Sequence, residues 1–195
     1  MSLPFVDRSS SSLPVQFVVQ SKWKSWLKEQ SAARRGWIDS TGVSGSAGDV
    51  VVLPGRDGKA SGAVLVVPAS PVLWDFGGLA TRLPAGTWKF VSDSAPVSMT
   101  DAMVAIGLGT WTFDRYKAKK SKQGPRFVWP EGADKARATA MIEAISLARD
   151  LITTPSSDMG PEELASAVQE LGKAHKGLTV EVLDEKKIKD LGMGA

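Results

Sequence analysis

Ala148-Arg149-Asp150-Leu151-Ile152-Thr153-Thr154-Pro155-Ser156-Ser157-Asp158-Met159-Gly160-Pro161-Glu162-Glu163-Leu164 is the stretch on which the reading of this chain turns. It closes one helix, turns at a proline and opens another. Pro155 disfavours a helical Thr154, so the first helix ends there. Pro161 suits the first position of a new helix, with Gly160 as the cap and Glu162 and Glu163 facing its positive end. Upstream, Ala136, Ala140, Ala144, Leu147, Ala148 and Leu151 recur every three or four residues. They predict a strong helix with a narrow Ala-rich face, opened by Asp134 as N-cap. Downstream, the second helix runs to about Ala174. Residues 179–183 read as a strand, and residues 184–191 as a short helix stopped by Gly192. A strand with nothing to pair with in its own segment reads as the opening of a second unit that these residues do not complete.

The part before the junction reads as one unit over residues 1–130. Residues 2–12 are Ser-rich and predict a frayed end. Residues 15–19 are a β-branched and aromatic run, a first strand. Residues 21–35 carry Trp23, Trp26, Leu27 and Ala33 at helical spacing, with Gly36 where a C-terminal cap belongs. Residues 49–53 and 63–67 are near-continuous aliphatic runs joined by a turn-rich connection, 54–59, so they read as a hairpin or two adjacent strands. Unbroken Val/Leu runs point to strands covered on both faces. Residues 74–83 read as a short helix weakened by Gly77-Gly78, and 87–91 as a strand. Residues 100–117 favour a helix, against Gly107 and Gly109. Residues 127–129 are a strand ended by Pro130. The fold class is α/β, a mixed sheet flanked by helices. A long helix and an α/β segment over residues 131–195 follow it.

Composition bounds the function. The chain has 195 residues, 43% hydrophobic and 23% charged, which are globular values. No run approaches the roughly 18 apolar residues of a membrane span. No basic segment followed by an apolar stretch opens the chain, so no signal peptide is read. Cys is absent, which removes disulfides and thiolate chemistry and fits a cytoplasmic protein. The net charge of +3 does not by itself argue for nucleic acid, and the seven Trp read as packing residues.

Candidate chemistry is sparse. His175, the only histidine, lies among Lys173 and Lys176 near a helix end, a poor place for a metal ligand or general base. Gly42, Gly45 and Gly48 precede a strand, whereas a phosphate loop follows one and opens a helix. Gly107-Leu108-Gly109 lacks the third glycine of a dinucleotide fingerprint, since position 112 is Thr. No Gly-x-Ser-x-Gly elbow is present. The pairs Asp184, Glu185 and Glu162, Glu163 read as helix starts. Arg115, Lys117, Lys119, Lys120, Lys122 and Arg126 surround Tyr116. This basic segment, 115–126, is either a solvated linker or a site for nucleic acid or an acidic partner. No residue is assigned a catalytic, cofactor-binding or metal-binding role.

The quoted stretch also carries a resemblance. Ala148-Arg149-Asp150-Leu151, Thr154-Pro155 and Asp158-Met159-x-Pro161-Glu162 resemble the junction segment of the leucyl aminopeptidase family (the cytosol aminopeptidases, peptidase family M17). Gly107-Leu108 with Phe113-Asp114-Arg115-Tyr116-Lys117, Val180-Glu181-Val182-Leu183-Asp184 and Leu191-Gly192-Met193-Gly194-Ala195 are similar to three further family segments in the same order. The resemblance covers about residues 104–195. It implies a macro-like N-terminal domain, a helix for residues 100–117, and a linker helix leading to a catalytic domain. In that family two divalent metal ions, manganese or zinc, activate a bridging water and hold the free amino group of a peptide substrate. The resemblance implies a cytoplasmic hydrolase that assembles as hexamers. It also implies that this portion is inactive alone, serving domain positioning and oligomer contacts beside its own catalytic domain. The family's metal ligands follow the Leu191–Ala195 motif, so none is carried onto this chain. The family usually has Asn at the positions of Thr153 and Ser157 and a Thr cap at Gly160.

Overall fold

Val15 and Phe17 face one side of their strand and Val18 faces the other, and all three are buried. That alternation sorts the first part of the molecule into two cores on either side of one sheet. The computed structural model describes residues 3–55, 57–91, 98–118 and 124–193. The chain divides into two compact units, Met1–Ser146 and Leu147–Ala195.

In the first unit the strands are β1 (Phe5–Val6), β2 (Leu13–Val19), β3 (Val50–Pro54), β4 (Ala60–Val67), β5 (Gly86–Val91) and β6 (Pro125–Val128). Their order across the sheet is β1-β6-β5-β2-β4-β3. Every neighbouring pair is parallel except the β3–β4 hairpin. The helices are α1 (Trp23–Glu29), α2 (Ala32–Ser40), α3 (Leu79–Arg82) and α4 (Met99–Gly109), and α5 (Lys135–Thr153) begins in this unit and ends in the second. This is the mixed α/β sheet with flanking helices that the aliphatic runs imply. β4 is buried from Gly62 to Val67, as a central parallel strand must be.

On one face Val15, Phe17, Leu65, Val67, Trp88 and Phe127 meet α3, α4 and the first half of α5. On the other face Val18, Val51, Leu53, Val64 and Val66 meet Trp23 of α1 and Ile38 of α2. That second cover stops at β2. Gln16 on β2 itself, Lys89 on β5 and Arg126 on β6 are exposed. α4 is buried without a break from Ala102 to Leu108 and is capped by Ser98, whose Oγ accepts from Asp101 N–H at 3.2 Å.

The structure corrects several expectations. Residues 2–12 are not frayed throughout: Phe5 and Val6 pair with Phe127 and Val128, and Phe5 sits 4.5 Å from the Trp129 ring. The helix expected over 21–35 is two helices. Gln30 is extended, and Ser31 Oγ accepts from Arg34 N–H at 3.3 Å, which starts α2 afresh. Gly36 therefore lies inside α2, and left-handed Gly42 (φ 70°) follows its end instead. Residues 74–83 form a 3-10 turn, Leu73–Phe76, and a separate α3. The helix expected over 100–117 ends at Gly109, where Thr110 Oγ1 donates to the Gly107 carbonyl at 2.8 Å. Residues 179–183 form no strand among the described residues, where no partner edge is offered to them.

Ser146 of α5 is buried, yet its hydroxyl has no hydrogen-bond partner among the described residues. Leaving such a group unsatisfied costs about 1–3 kcal/mol, and Ala also suits a helix better. Ser146→Ala is expected to stabilise the chain by about 1 kcal/mol, read as a melting rise of about 2–4 °C. A lower melting temperature would show that the hydroxyl is satisfied.

Candidate functional site

The junction is built from the groups that the sequence points to. Thr154 continues the last turn of α5, with its N–H 3.0 Å and its Oγ1 2.7 Å from the Asp150 carbonyl. Pro155 then closes a turn onto Asp158 N–H at 2.9 Å. In the second unit α6 (Pro161–Ala174) has Pro161 in its first turn. Gly160 has no side chain to cap it, and Glu163 Oε2 instead accepts from Gly160 N–H at 2.9 Å. α7 (Glu185–Asp190) is capped by Asp184, which accepts from Lys187 N–H at 2.8 Å.

An open groove of about 350 Å³ lies against α6, lined by Gln169, Gly172, Lys173, Leu178 and Val180. Gly172 lets the extended chain approach, since a Cβ there would lie 2.7 Å from Val180 Cγ2. The groove has one charged group, Lys173, and it pairs with Glu170 at 2.6 Å in full view of solvent. No acid, base and nucleophile converge in it, so it has no equipment for catalysis. His175 follows the end of α6 and is exposed. Among the described residues no group of three or more His, Asp or Glu could hold a metal ion.

The glycine loop is equally plain. Asp49 Oδ2 accepts from Gly45 N–H at 3.0 Å and Ser46 N–H at 2.9 Å, so those amides are already engaged and do not cradle an anion. Gly107-Leu108-Gly109 sits inside α4. Of the basic cluster, Arg115, Tyr116 and Lys117 are exposed beyond α4, with Arg115 5.9 Å from the Tyr116 ring centroid. Arg126 is exposed on β6. Lys119, Lys120 and Lys122 lie outside the described residues.

Lys135, at the start of α5, donates to Asp7 at 2.5 Å, and this hydrogen bond, with the lysine charge behind it, holds the Asp7 carboxyl below its usual value. A carboxyl lowered on folding contributes stability above its unfolded pKa and loses it as pH falls through the folded value. Lys135→Met is therefore expected to lower the denaturation midpoint slightly at about pH 6 and not at all in strong acid. A gap that persists at low pH would assign the effect to packing.

One feature runs against the sequence reading. Trp23 and Trp88 are buried as packing residues, but Trp37 and Trp74 are 43% and 69% exposed. Trp37 has a local reason, because its Nε1 donates to the Val52 carbonyl at 2.9 Å and guards the β3 edge. Trp74 has none among the described residues. The signal for it in the sequence is the absence of any charged residue from 60 to 74.

Comparison with known proteins places this arrangement. The family described as "M17 aminopeptidase, N-terminal domain" matches residues 13–130. The "Cytosol aminopeptidase family, catalytic domain" matches residues 146–195. The chain is 32% identical over 190 residues to the probable cytosol aminopeptidase of Streptomyces avermitilis, covering 80% of this chain and 37% of that protein. The crystal structure of cytosol aminopeptidase from Coxiella burnetii is similar at TM-score 0.83 and 30% identity, covering 96% of this chain and 41% of that one. The bottromycin maturation enzyme BotP in complex with Mn shares the fold at TM-score 0.63 and 23% identity, covering 94% of this chain and 41% of that one. The chain thus spans well under half the length of these proteins.

Proposed function

The chain belongs to the M17 cytosol aminopeptidase family, and we propose that it is the N-terminal, non-catalytic part of a metallo-aminopeptidase that removes N-terminal residues from peptides. In this reading residues 1–130 are an accessory domain. Residues 131–195 are the linker helix and the first segment of the catalytic domain. The accessory domain positions the catalytic domain and contributes contacts to a homo-oligomer in the cytoplasm.

One observation carries the reading. The catalytic-domain family matches only from residue 146 onward, and in that stretch neither α6 nor α7 buries a single residue. Leu164, Val168, Leu178, Val182, Leu191 and Met193 are all more than 40% exposed. Apolar side chains at that spacing gain free energy only when another layer covers them. In the proposal the rest of the catalytic domain is that layer.

The residues present do not fit the two divalent ions, manganese or zinc, of the family's chemistry. No ligand group is assembled among the described residues. In this reading the ions are held by residues of the longer protein, and no step of the hydrolysis is routed through a side chain described above. The assay is hydrolysis of leucine p-nitroanilide with manganese or zinc. The full-length gene product is expected to turn it over and the 195-residue chain to leave it intact. Turnover by the 195-residue chain, or none by the full-length product, would overturn the proposal.

A further inference from the structure

β1 sits in the sheet the way a bound peptide does. Two hydrogen bonds fix it to the edge of β6, from Phe127 N–H to the Pro4 carbonyl at 2.7 Å and from Trp129 N–H to the Val6 carbonyl at 3.0 Å. The Phe5 ring lies 4.5 Å from the Trp129 ring, centroid to centroid. Two residues on, the Asp7 carboxylate meets Lys135 Nζ at 2.5 Å, and that nitrogen is 5.9 Å from the Trp129 ring centroid. Main-chain donors, an aromatic floor and a cation thus stand at fixed spacing along one edge. That is the equipment of strand addition, in which the backbone gives affinity and the side chains give selectivity.

The present occupant is lightly held. Of the six strands described, β1 alone buries no residue. β6 buries Pro125 and Phe127 and pairs with β5 on its other side, so it has its own hold on the sheet. Residues 7–12, four of them consecutive serines, tie β1 to β2, which lies three places away in the sheet. Release of β1 leaves the central strands in place and bares the β6 edge, a row of main-chain groups that accepts another strand. Pro4 decides which strand gains by taking it. Pro4 has no N–H, so the ladder stops there. A second copy would bring the same Pro4 and the same two bonds without the tether, and gains nothing over the segment already attached. A foreign segment with an N–H in that place adds a donor opposite the Pro125 carbonyl, given the parallel register of Phe5 with Phe127.

We propose that the β6 edge, with Trp129 and Lys135, binds an extended segment of another protein. That segment carries an aromatic side chain and, two residues on, a carboxylate, and β1 is the tethered occupant it displaces. The test uses the full-length protein and the fluorescence anisotropy of a labelled peptide of residues 2–9 carrying Pro4→Ala. The peptide is N-acetylated, which leaves an aminopeptidase no free amino group, so the readout does not rest on the functional reading above. A variant lacking residues 2–8 is expected to bind it at least about tenfold more tightly than the parent, whose own strand competes at the high local concentration of a short tether. A peptide that also carries Asp7→Lys is expected to bind the truncated protein at least about threefold more weakly, and Lys135→Asp in the protein to restore the affinity. Far-UV circular dichroism checks the fold. Where the truncated protein does not fold, Phe5→Ala in the full-length chain loosens the strand in place and is expected to bind the peptide more tightly than the parent does. Equal affinity for the parent and the loosened protein, a charge reversal without effect or without rescue, or no binding at all overturns the inference.

Discussion

Gly109→Val is expected to destabilise the first unit by about 3 kcal/mol, at the upper end of overpacking costs. Gly109 ends α4, and a Cβ there would lie 2.7 Å from the Gly77 carbonyl oxygen and 2.9 Å from Ala80 Cβ. The first neighbour is backbone and cannot rotate away. The second belongs to α3, which is itself packed into the core through Leu79. The branched methyls of Val add to the overlap, and the gain in helix propensity, under about 1 kcal/mol, does not offset it. The melting temperature is expected to fall by about 6–12 °C in a chain of this size. Gly107 makes the contrast. A Cβ there meets the end of the Ile142 side chain, with Cγ1 at 2.8 Å, so Gly107→Ala is milder and Ile142→Val is expected to recover part of its cost. A Gly109→Val protein that unfolds at the same urea concentration as the parent would show that α3 and α4 separate freely.

These glycines explain where reading the sequence stops. In a local accounting Gly107 and Gly109 weaken a helix and argue against one over residues 100–117. The structure keeps both because α3 and α5 approach α4 there, contacts made by residues 29 or more positions away. The parallel strands were legible for the opposite reason. Burial on both faces writes an unbroken aliphatic run into residues 63–67 that needs no partner to be recognised. β1 was not legible. It is two residues long and exists because β6 accepts it, with Phe127 N–H donating to the Pro4 carbonyl at 2.7 Å. The break between α1 and α2 was hidden because the apolar spacing continues across Ser31, and only its cap interrupts the helix.

The junction was legible from Pro155 and Pro161, since proline acts through its own backbone. A catalytic centre was not, and the fate of the carboxylates shows why. Asp49, Asp75, Asp134, Glu163 and Asp184 each accept a hydrogen bond from a nearby backbone N–H. These five of the chain's 21 acids serve caps and turns. Trp74 reads as packing because a window of sequence does not separate the inward face of a 3-10 turn from its outward face, which Leu73 and Phe76 fix by joining the core.

The other large effect is expected in hydrogen exchange. In the 195-residue chain, the amides of α6 and α7 are expected to exchange at least about a hundredfold faster, relative to their unstructured rates, than those of β2 and β4. The central strands sit in a core that includes Val15, Leu65 and Val67, all fully buried, and open only with the unit as a whole. A stability of about 5 kcal/mol corresponds to a protection of about 10³–10⁴. α6 has 14 residues and buries none of them. A helix of that length is marginal on its own, and the capping by Glu163 adds only about 1 kcal/mol. If the rest of the catalytic domain covers Leu164 and Val168, the same amides in the full-length protein gain protection that the shorter chain lacks. Equal protection of α6 and β4 in the 195-residue chain would mean that the second unit holds itself together. It would then need no further layer, and the reading of residues 147–195 as the first piece of a larger domain would lose its physical support.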